Sequence, residues 1–140
     1  MWRSAACDLS CMAAARHFTE LDCWQLANEL KLRLYGVTSR SHVKPDKDWV
    51  EDVRDAAASA PRNISEGFGR RSDPDFAHFL DIARASLNEC QNHLLDAVDR
   101  GYIEQFECRE LTTLSKRVIG AVAGLQRHLR GKPRARRRRA

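Results

Sequence analysis

Apolar residues recur every three or four positions through four long stretches of the chain. This spacing is the period of an amphipathic α-helix, and no stretch shows the strict alternation of a half-buried β-strand. The stretches predict helices from about Thr19 to Gly36, from Pro45 or Asp46 to Glu66, from Ser72–Pro74 to Arg100, and from Glu104 to Arg130. The pattern therefore predicts an all-α protein.

Residues that commonly cap helices support several of these ends. Thr19 follows Phe18 as an N-cap residue follows the apolar member of a hydrophobic staple. Ser72 or Asp73 can cap the third helix by accepting a hydrogen bond from its first turn. Gly101 supplies the glycine that often ends a helix in a left-handed conformation.

One face of the predicted second helix consists largely of small residues. Its inward positions are Trp49, Val53, Ala56, Ala57, Ala60 and Ile64. Alanine lets a neighbouring helix approach closely, because its side chain ends at Cβ. Pro61 lies within this helix, where its missing N–H group and its ring predict a kink. The second helix is therefore predicted to be a central packing element.

Short connections between the four helices predict an up-down-up-down antiparallel four-helix bundle. In that topology the start of the first helix, the loop after the second and the end of the fourth share one end of the bundle. Arg70 and Arg71 of the loop are then expected near Arg127 and Arg130. The predicted fold thus has a cationic pole.

Charge is distributed unevenly along the 140 residues, whose formal net charge is +5. Eight of the 24 lysines and arginines, and none of the acidic residues, fall between Arg127 and Ala140. Such a block is typical of a solvated interaction tail that cannot bury enough apolar surface to fold. The predicted domains are a flexible extension over residues 1–17, the bundle over 18–130 and a disordered arginine-rich tail over 131–140.

Arginine side chains neutralise phosphates and stack on exposed bases, so RNA or DNA is the expected partner of this pole and tail. The tail has no interleaved aromatic residues, which predicts weak sequence preference. The candidate nucleic-acid-binding residues are Arg70, Arg71, Arg127, Arg130, Lys132, Arg134, Arg136, Arg137, Arg138 and Arg139.

Other functional classes find little support in the residues. Ferritin-like metal sites need Glu-x-x-His on two helices, and Glu89 stands four residues before His93 instead of three. No nucleophile has a base and an orienting group at suitable spacing, so we expect no enzymatic activity and no metal or other cofactor. Five cysteines, an odd number, and the lack of an apolar run of about 18 residues predict a reduced, cytoplasmic protein without a membrane span.

The segment AAASAPRNISEGFGR at residues 56–70 resembles the four-helix bundle proteins encoded within rRNA intervening sequences. That family favours an alanine-rich helix, then Ser-Ile-Pro-x-Asn-Ile-Ala-Glu-Gly, then Gly-Arg. The matching residues are Ser59, Pro61, Asn63, Ile64, Glu66, Gly67, Gly69 and Arg70. Ala60 and Ser65 depart from the pattern. Segments around Trp24, Phe79 and Tyr102 extend the resemblance to roughly residues 18–130.

The resemblance implies a homo-oligomer, a ring-like pentamer of four-helix bundles without established enzymatic activity. A distantly similar group, the accessory variability proteins of diversity-generating retroelements, forms comparable pentamers that bind nucleic acid and a reverse transcriptase. Two hypotheses follow. In the first, a non-catalytic accessory protein binds RNA or DNA through the cationic pole and tail. In the alternative, the oligomer is a protein–protein scaffold that recruits a partner enzyme such as a reverse transcriptase, and the tail is dispensable.

Asn63, Glu66 and Arg70 lie at three- and four-residue steps on one side of the second helix. They can form a ligand or RNA contact, or a hydrogen-bonded network at the helix end or a subunit interface. In the network, Glu66 pairs with Arg62 or Arg70. The candidate structural or interface residues are Ser59, Pro61, Asn63, Glu66, Gly67, Gly69 and Arg70.

Overall fold

The computed structural model describes residues 15–131, and none of these residues forms a β-strand. After a short 3₁₀ helix at Phe18–Glu20 come α1 (Asp22–Thr38), α2 (Lys47–Phe68), α3 (Asp73–Asp99) and α4 (Gln105–Gly131). The all-α four-helix prediction is confirmed. Most of the predicted extension, and all of the predicted tail beyond Gly131, lie outside the described residues.

The start of α1 differs from the prediction. The His17 side chain accepts a hydrogen bond from the Thr19 backbone N–H at 3.3 Å, and Glu20 accepts one from the His17 N–H at 3.4 Å. These reciprocal bonds stabilise the 3₁₀ turn. Leu21 then leaves helical geometry with φ −74° and ψ 129°, so α1 begins at Asp22 without a side-chain cap. The predicted Thr19 cap was wrong because this turn precedes the helix.

Both predicted ends of α3 are confirmed. The Ser72 hydroxyl accepts a hydrogen bond from the backbone N–H of Asp75 at 3.2 Å. At the other end Gly101 has φ +75°, a left-handed conformation that favours glycine. The Tyr102 N–H then donates to the Ala97 carbonyl at 2.8 Å, which satisfies one of the last carbonyls of the helix.

Each helix packs against the next and α1 also packs against α4, so α2 and α4 lie diagonally across the bundle. The loop of residues 69–72 reverses the chain between α2 and α3. Between α3 and α4, hydrogen bonds join Gln91 to Ser115 and Asp81 to Gln126. These partners run in opposite order along the two helices, so α3 is antiparallel to α4 and α2 is parallel to α4.

The apolar stripes of the helices meet in one core. All six predicted inward residues of α2 are buried, and the helix continues through the buried Pro61 to Phe68. The alanine face of α2 is therefore occupied by the other helices of the same chain. Among the described helices, none has the length and hydropathy needed to cross a bilayer.

Candidate nucleic-acid interface

The C-terminal part of α2 packs tightly on the start of α3. A Cβ atom on Gly67 would lie 2.6 Å from Cδ2 of Phe76 and 2.9 Å from Cβ of Phe79. Interiors are close-packed, so a methyl group here would push α3 away. Gly69 has φ −76°, and its Cβ would lie 3.5 Å from the Glu66 carbonyl oxygen, an ordinary contact. Gly67 therefore sets the approach of the two helices, whereas Gly69 does not.

Hydrogen bonds link Asn63 to α3 through a serine pair. The Asn63 Nδ2 donates to the Ser59 carbonyl at 2.8 Å and lies 3.0 Å from the Ser59 hydroxyl. That hydroxyl is 2.7 Å from the hydroxyl of Ser86. The Asn63 amide nitrogen is thus used inside the protomer, which favours the structural interpretation of this residue over a ligand contact.

Arg70 is held in place by two neighbours. Its Nη2 lies 2.8 Å from Glu66 Oε1, and its Cζ lies 4.7 Å from the centroid of the Phe79 ring. The second contact is a cation–π interaction. Glu66 therefore pairs with Arg70, one of the two partners expected for it. The Arg70 side chain remains 46% exposed, so part of its guanidinium still faces solvent.

Four candidate residues lie at one end of the bundle. We call this end the arginine pole and define it as Arg70, Arg71, Arg127 and Arg130. The hydrogen bond from Gln126 Nε2 to the Ala77 carbonyl, at 3.2 Å, places the last turn of α4 beside the start of α3. The start of α3 directly follows the α2–α3 loop, which contains Arg70 and Arg71. All four are exposed, and the three other than Arg70 form no ion pair within residues 15–131.

Gln126 is a residue of this end that the sequence reasoning missed. Its side chain is only 1% exposed, yet its polar atoms are satisfied. Its Nε2 also donates to Asp81 Oδ1 at 2.6 Å, and its Oε1 accepts from Arg84 Nη1 at 3.0 Å. Position 126 lies four residues after the inward Val122, and that spacing is the signal that could have found it.

Several charged residues at the opposite end form ion pairs with one another. We define this paired pole as Arg40, Asp46, Arg100, Tyr102 and Glu107. Arg40 makes two bonds to Glu107, of 2.8 and 2.5 Å, and they hold the pKa of the Glu107 carboxyl below its ordinary value. Asp46 accepts from the Tyr102 hydroxyl at 2.5 Å and from Arg100 at 2.7 Å. These bonds, with Tyr102 the larger influence, lower the pKa of Asp46.

The described residues contain no group of three or more His, Cys, Asp or Glu side chains placed to hold a metal ion. The thiols of Cys23, Cys90 and Cys108 are buried in the core. Burial raises the pKa of the Cys90 thiol to about 12, so this thiol is protonated at neutral pH. Its position favours a packing role.

The family described as 23S rRNA-intervening sequence protein matches residues 19–124. The chain belongs to this family. The resemblance inferred from the motif is thereby confirmed. No curated protein shows a significant match to the chain.

Only part of the arginine pole lies within the residues that match the 23S rRNA-intervening sequence protein family. Arg70 and Arg71 lie within the matched residues, whereas Arg127 and Arg130 follow them. The remaining candidates, Lys132, Arg134, Arg136, Arg137, Arg138 and Arg139, follow them too and lie outside the described residues. The family match therefore does not include the C-terminal arginines.

Proposed function

We propose that this member of the 23S rRNA-intervening sequence protein family is a non-catalytic accessory protein that binds RNA or DNA. The observation that carries the proposal is the arginine pole. It gathers exposed arginines from the α2–α3 loop and the last turn of α4 at the end where the arginine-rich sequence continues beyond Gly131.

The side chains of the arginine pole suit phosphate. A guanidinium presents several N–H donors in a planar fork that matches phosphate oxygens. Arg70 is already oriented by Glu66 and Phe79, which lowers the entropy lost when it binds a further partner. Arg71, Arg127 and Arg130 lack ion pairs within the described part of the chain, so a phosphate would not have to displace a carboxylate from them.

The proposed working unit is a cytoplasmic homo-oligomer that needs no cofactor, and a pentamer is the state that the family resemblance implies. Several tails on one particle would bind one nucleic acid at several places. This multivalency raises the overall affinity without any new contact in a single copy.

Deletion of residues 131–140 tests the proposal. We expect affinity for single- or double-stranded RNA or DNA to fall at least about tenfold at low salt, because the deleted arginines no longer release counterions. The dependence of log affinity on log salt concentration should also flatten, by about 0.7–0.9 for each phosphate that is no longer neutralised. Fluorescence anisotropy across a salt series measures both, and light scattering on the same samples gives the particle mass.

A matched control replaces two exposed lysines at the other end of the bundle, Lys44→Gln with Lys47→Gln, and should leave affinity and salt dependence near those of the unaltered protein. Unchanged affinity and slope after deletion of the tail would contradict the assignment. The scaffold alternative is favoured by the unpaired acidic residues on the outer face of α2. It would gain support from capture of a reverse transcriptase that survives both nuclease treatment and tail deletion.

A further inference from the structure

The outer face of α2 carries four carboxylates that no part of the proposed nucleic-acid site uses. We define the α2 stripe as Asp48, Glu51, Asp52 and Asp55. All four are exposed and none forms an ion pair with another described residue. Like charges three and four residues apart repel each other and weaken a helix. No ion pair within the described residues therefore offsets the charge of this stripe.

The outer face of α4 carries a stripe of the opposite charge. We define the α4 stripe as Phe106, Arg109, Thr113, Lys116 and Gly120, which follow one another at alternating steps of three and four residues. All are exposed, and Phe106 is exposed by 70%. Arg109 and Lys116 form no ion pair among residues 15–131. Residues at this spacing lie along one face of a helix.

Gly120 adds an independent observation on the same stripe. A Cβ built on this residue meets no atom within 4 Å, so the packing of the chain itself does not require glycine there. Glycine within a helix is unfavourable relative to alanine. The missing side chain leaves a gap in the stripe into which a side chain of a neighbouring helix can fit.

The two stripes lie on opposite sides of the bundle, and the α2 stripe overlaps in height with the part of the α4 stripe that contains Phe106 and Arg109. The helices α2 and α4 are parallel and lie diagonally across the bundle. Ser59 of α2 contacts Ser86, and the next residue, Leu87, accepts a hydrogen bond from Ser115 of α4, so Ser59 and Ser115 lie at about the same height. Asp55 is one turn before Ser59, which places it between the heights of Arg109 and Lys116.

We propose that the α2 stripe of one copy packs against the α4 stripe of another. Charge complementarity selects a second copy of this chain as the occupant, because the acidic and basic stripes overlap in height on parallel helices. Each copy uses two different faces, so the contact is heterologous and generates a closed ring or an open filament. The inference rests on the proposed homo-oligomer and assigns its interface.

Reversing the charge of one stripe tests the interface. In the variant Asp52→Lys with Asp55→Lys, we expect the dissociation constant between copies to rise at least about 100-fold, because like charges then face each other across the contact. Light scattering at low micromolar concentration should give the mass of a single chain. The new lysines stand four residues after Asp48 and Glu51, the favourable order for helix pairs, so circular dichroism should show undiminished helix content.

The opposite reversal and the combination complete the test. Arg109→Glu with Lys116→Glu should also give single chains, while Lys44→Glu, an exposed lysine outside both stripes, should not change the mass. Combining all four substitutions in the two stripes makes them complementary again. The combined variant should regain the mass of the unaltered protein, an outcome that general destabilisation of the fold would not produce.

The outcomes separate this inference from the proposed function. Single chains for the unaltered protein would overturn both the interface and the proposed oligomer. The interface alone would be overturned if either charge reversal left the oligomer mass unchanged. It would also be overturned if the combined variant did not regain that mass. Nucleic-acid binding is judged separately, by the salt series with the tail-deleted protein.

Discussion

At the paired pole Arg40 binds Glu107 and Arg100 binds Asp46, whereas at the arginine pole Arg127 and Arg130 form no ion pair with any described residue. The paired pole contains two loops between helices, whereas the arginine pole contains one, the loop of residues 69–72. At the paired pole the two ion pairs connect the α1–α2 loop with α4 and with the α3–α4 loop. At the arginine pole α4 is fixed to α3 by the buried Gln126 instead.

Under the proposed function the two ends have different tasks. Ion pairs and the Asp46–Tyr102 bond use the charges of the paired pole to hold loops together. At the other end Arg71, Arg127 and Arg130 are exposed and form no ion pair within the described residues, so their charges are available to an external polyanion. Arg70 is intermediate, because it pairs with Glu66 and still faces solvent.

The largest expected effect is on the free energy of unfolding. It tests the helix packing beside the arginine pole without changing any charge. Gly67→Ala should lower the free energy of unfolding by about 2–3 kcal/mol, because the added methyl group overlaps Phe76 and Phe79. Urea denaturation followed by circular dichroism measures it. Gly69→Ala is the matched control and should change the free energy by less than about 0.5 kcal/mol, since its Cβ has room. Equal effects at both glycines would refute the distinction.

A smaller effect tests the charges without disturbing the packing. Arg127→Gln with Arg130→Gln should weaken RNA or DNA binding about tenfold, or about 1.4 kcal/mol, and reduce the salt slope by about 1.4–1.8. Anisotropy titrations at several salt concentrations measure both quantities. The control Lys44→Gln with Lys47→Gln removes the same charge near the paired pole. Equal losses in the two variants would show that net charge, rather than the arginine pole, attracts the nucleic acid.

The smallest effect concerns pH at the paired pole. Because the pKa of folded Glu107 lies below its ordinary value of about 4.3, the pair with Arg40 stabilises the fold above that pH. The contribution is lost as pH falls through the lower pKa of the folded state. Glu107→Gln should therefore cost about 0.5 kcal/mol near pH 6, because Arg40 is 39% exposed and the pair is screened by solvent.

The difference in stability between Glu107→Gln and the unaltered protein should shrink as the pH falls through the lowered pKa of folded Glu107, because the carboxyl then becomes protonated in both states. Thermal melts over this pH range measure it. Glu104→Gln is a suitable control, because Glu104 is exposed and forms no ion pair within the described residues. A difference in stability that persists unchanged at low pH would mean that the ion pair does not stabilise the fold.

Local chemistry explains which features were predictable. The ends of α3 follow from Ser72 and Gly101, whose effects reach only a few residues along the chain. The start of α1 was predicted wrongly because His17 and Glu20, rather than Thr19, form the capping box. Gln126 was missed because its partners are 42 to 49 residues away in sequence.

Some features of the candidate site could likewise be predicted from the sequence, and others could not. The arginine-rich block can be identified directly in the sequence. The expectation that the α2–α3 loop meets the end of α4 needed only the order of the helices. The pairing of Arg70 with Glu66 was one of two expected alternatives, since Arg62 is also within one turn. Its stacking on Phe79 and the use of Asn63 by Ser59 depend on side-chain packing that residue spacing does not specify.

The sequence by itself determined that four amphipathic helices form, where α3 begins and ends, and that the basic charge gathers at the C-terminus. Periodicity, caps and charge act over distances of a few residues, so a linear pattern contains them. Only the tertiary structure decided that Gly67 lies against Phe76 while Gly120 faces open space, and that the α2 and α4 stripes face opposite ways. These relations depend on how distant segments meet, because close packing fixes contacts between side chains that no local spacing encodes.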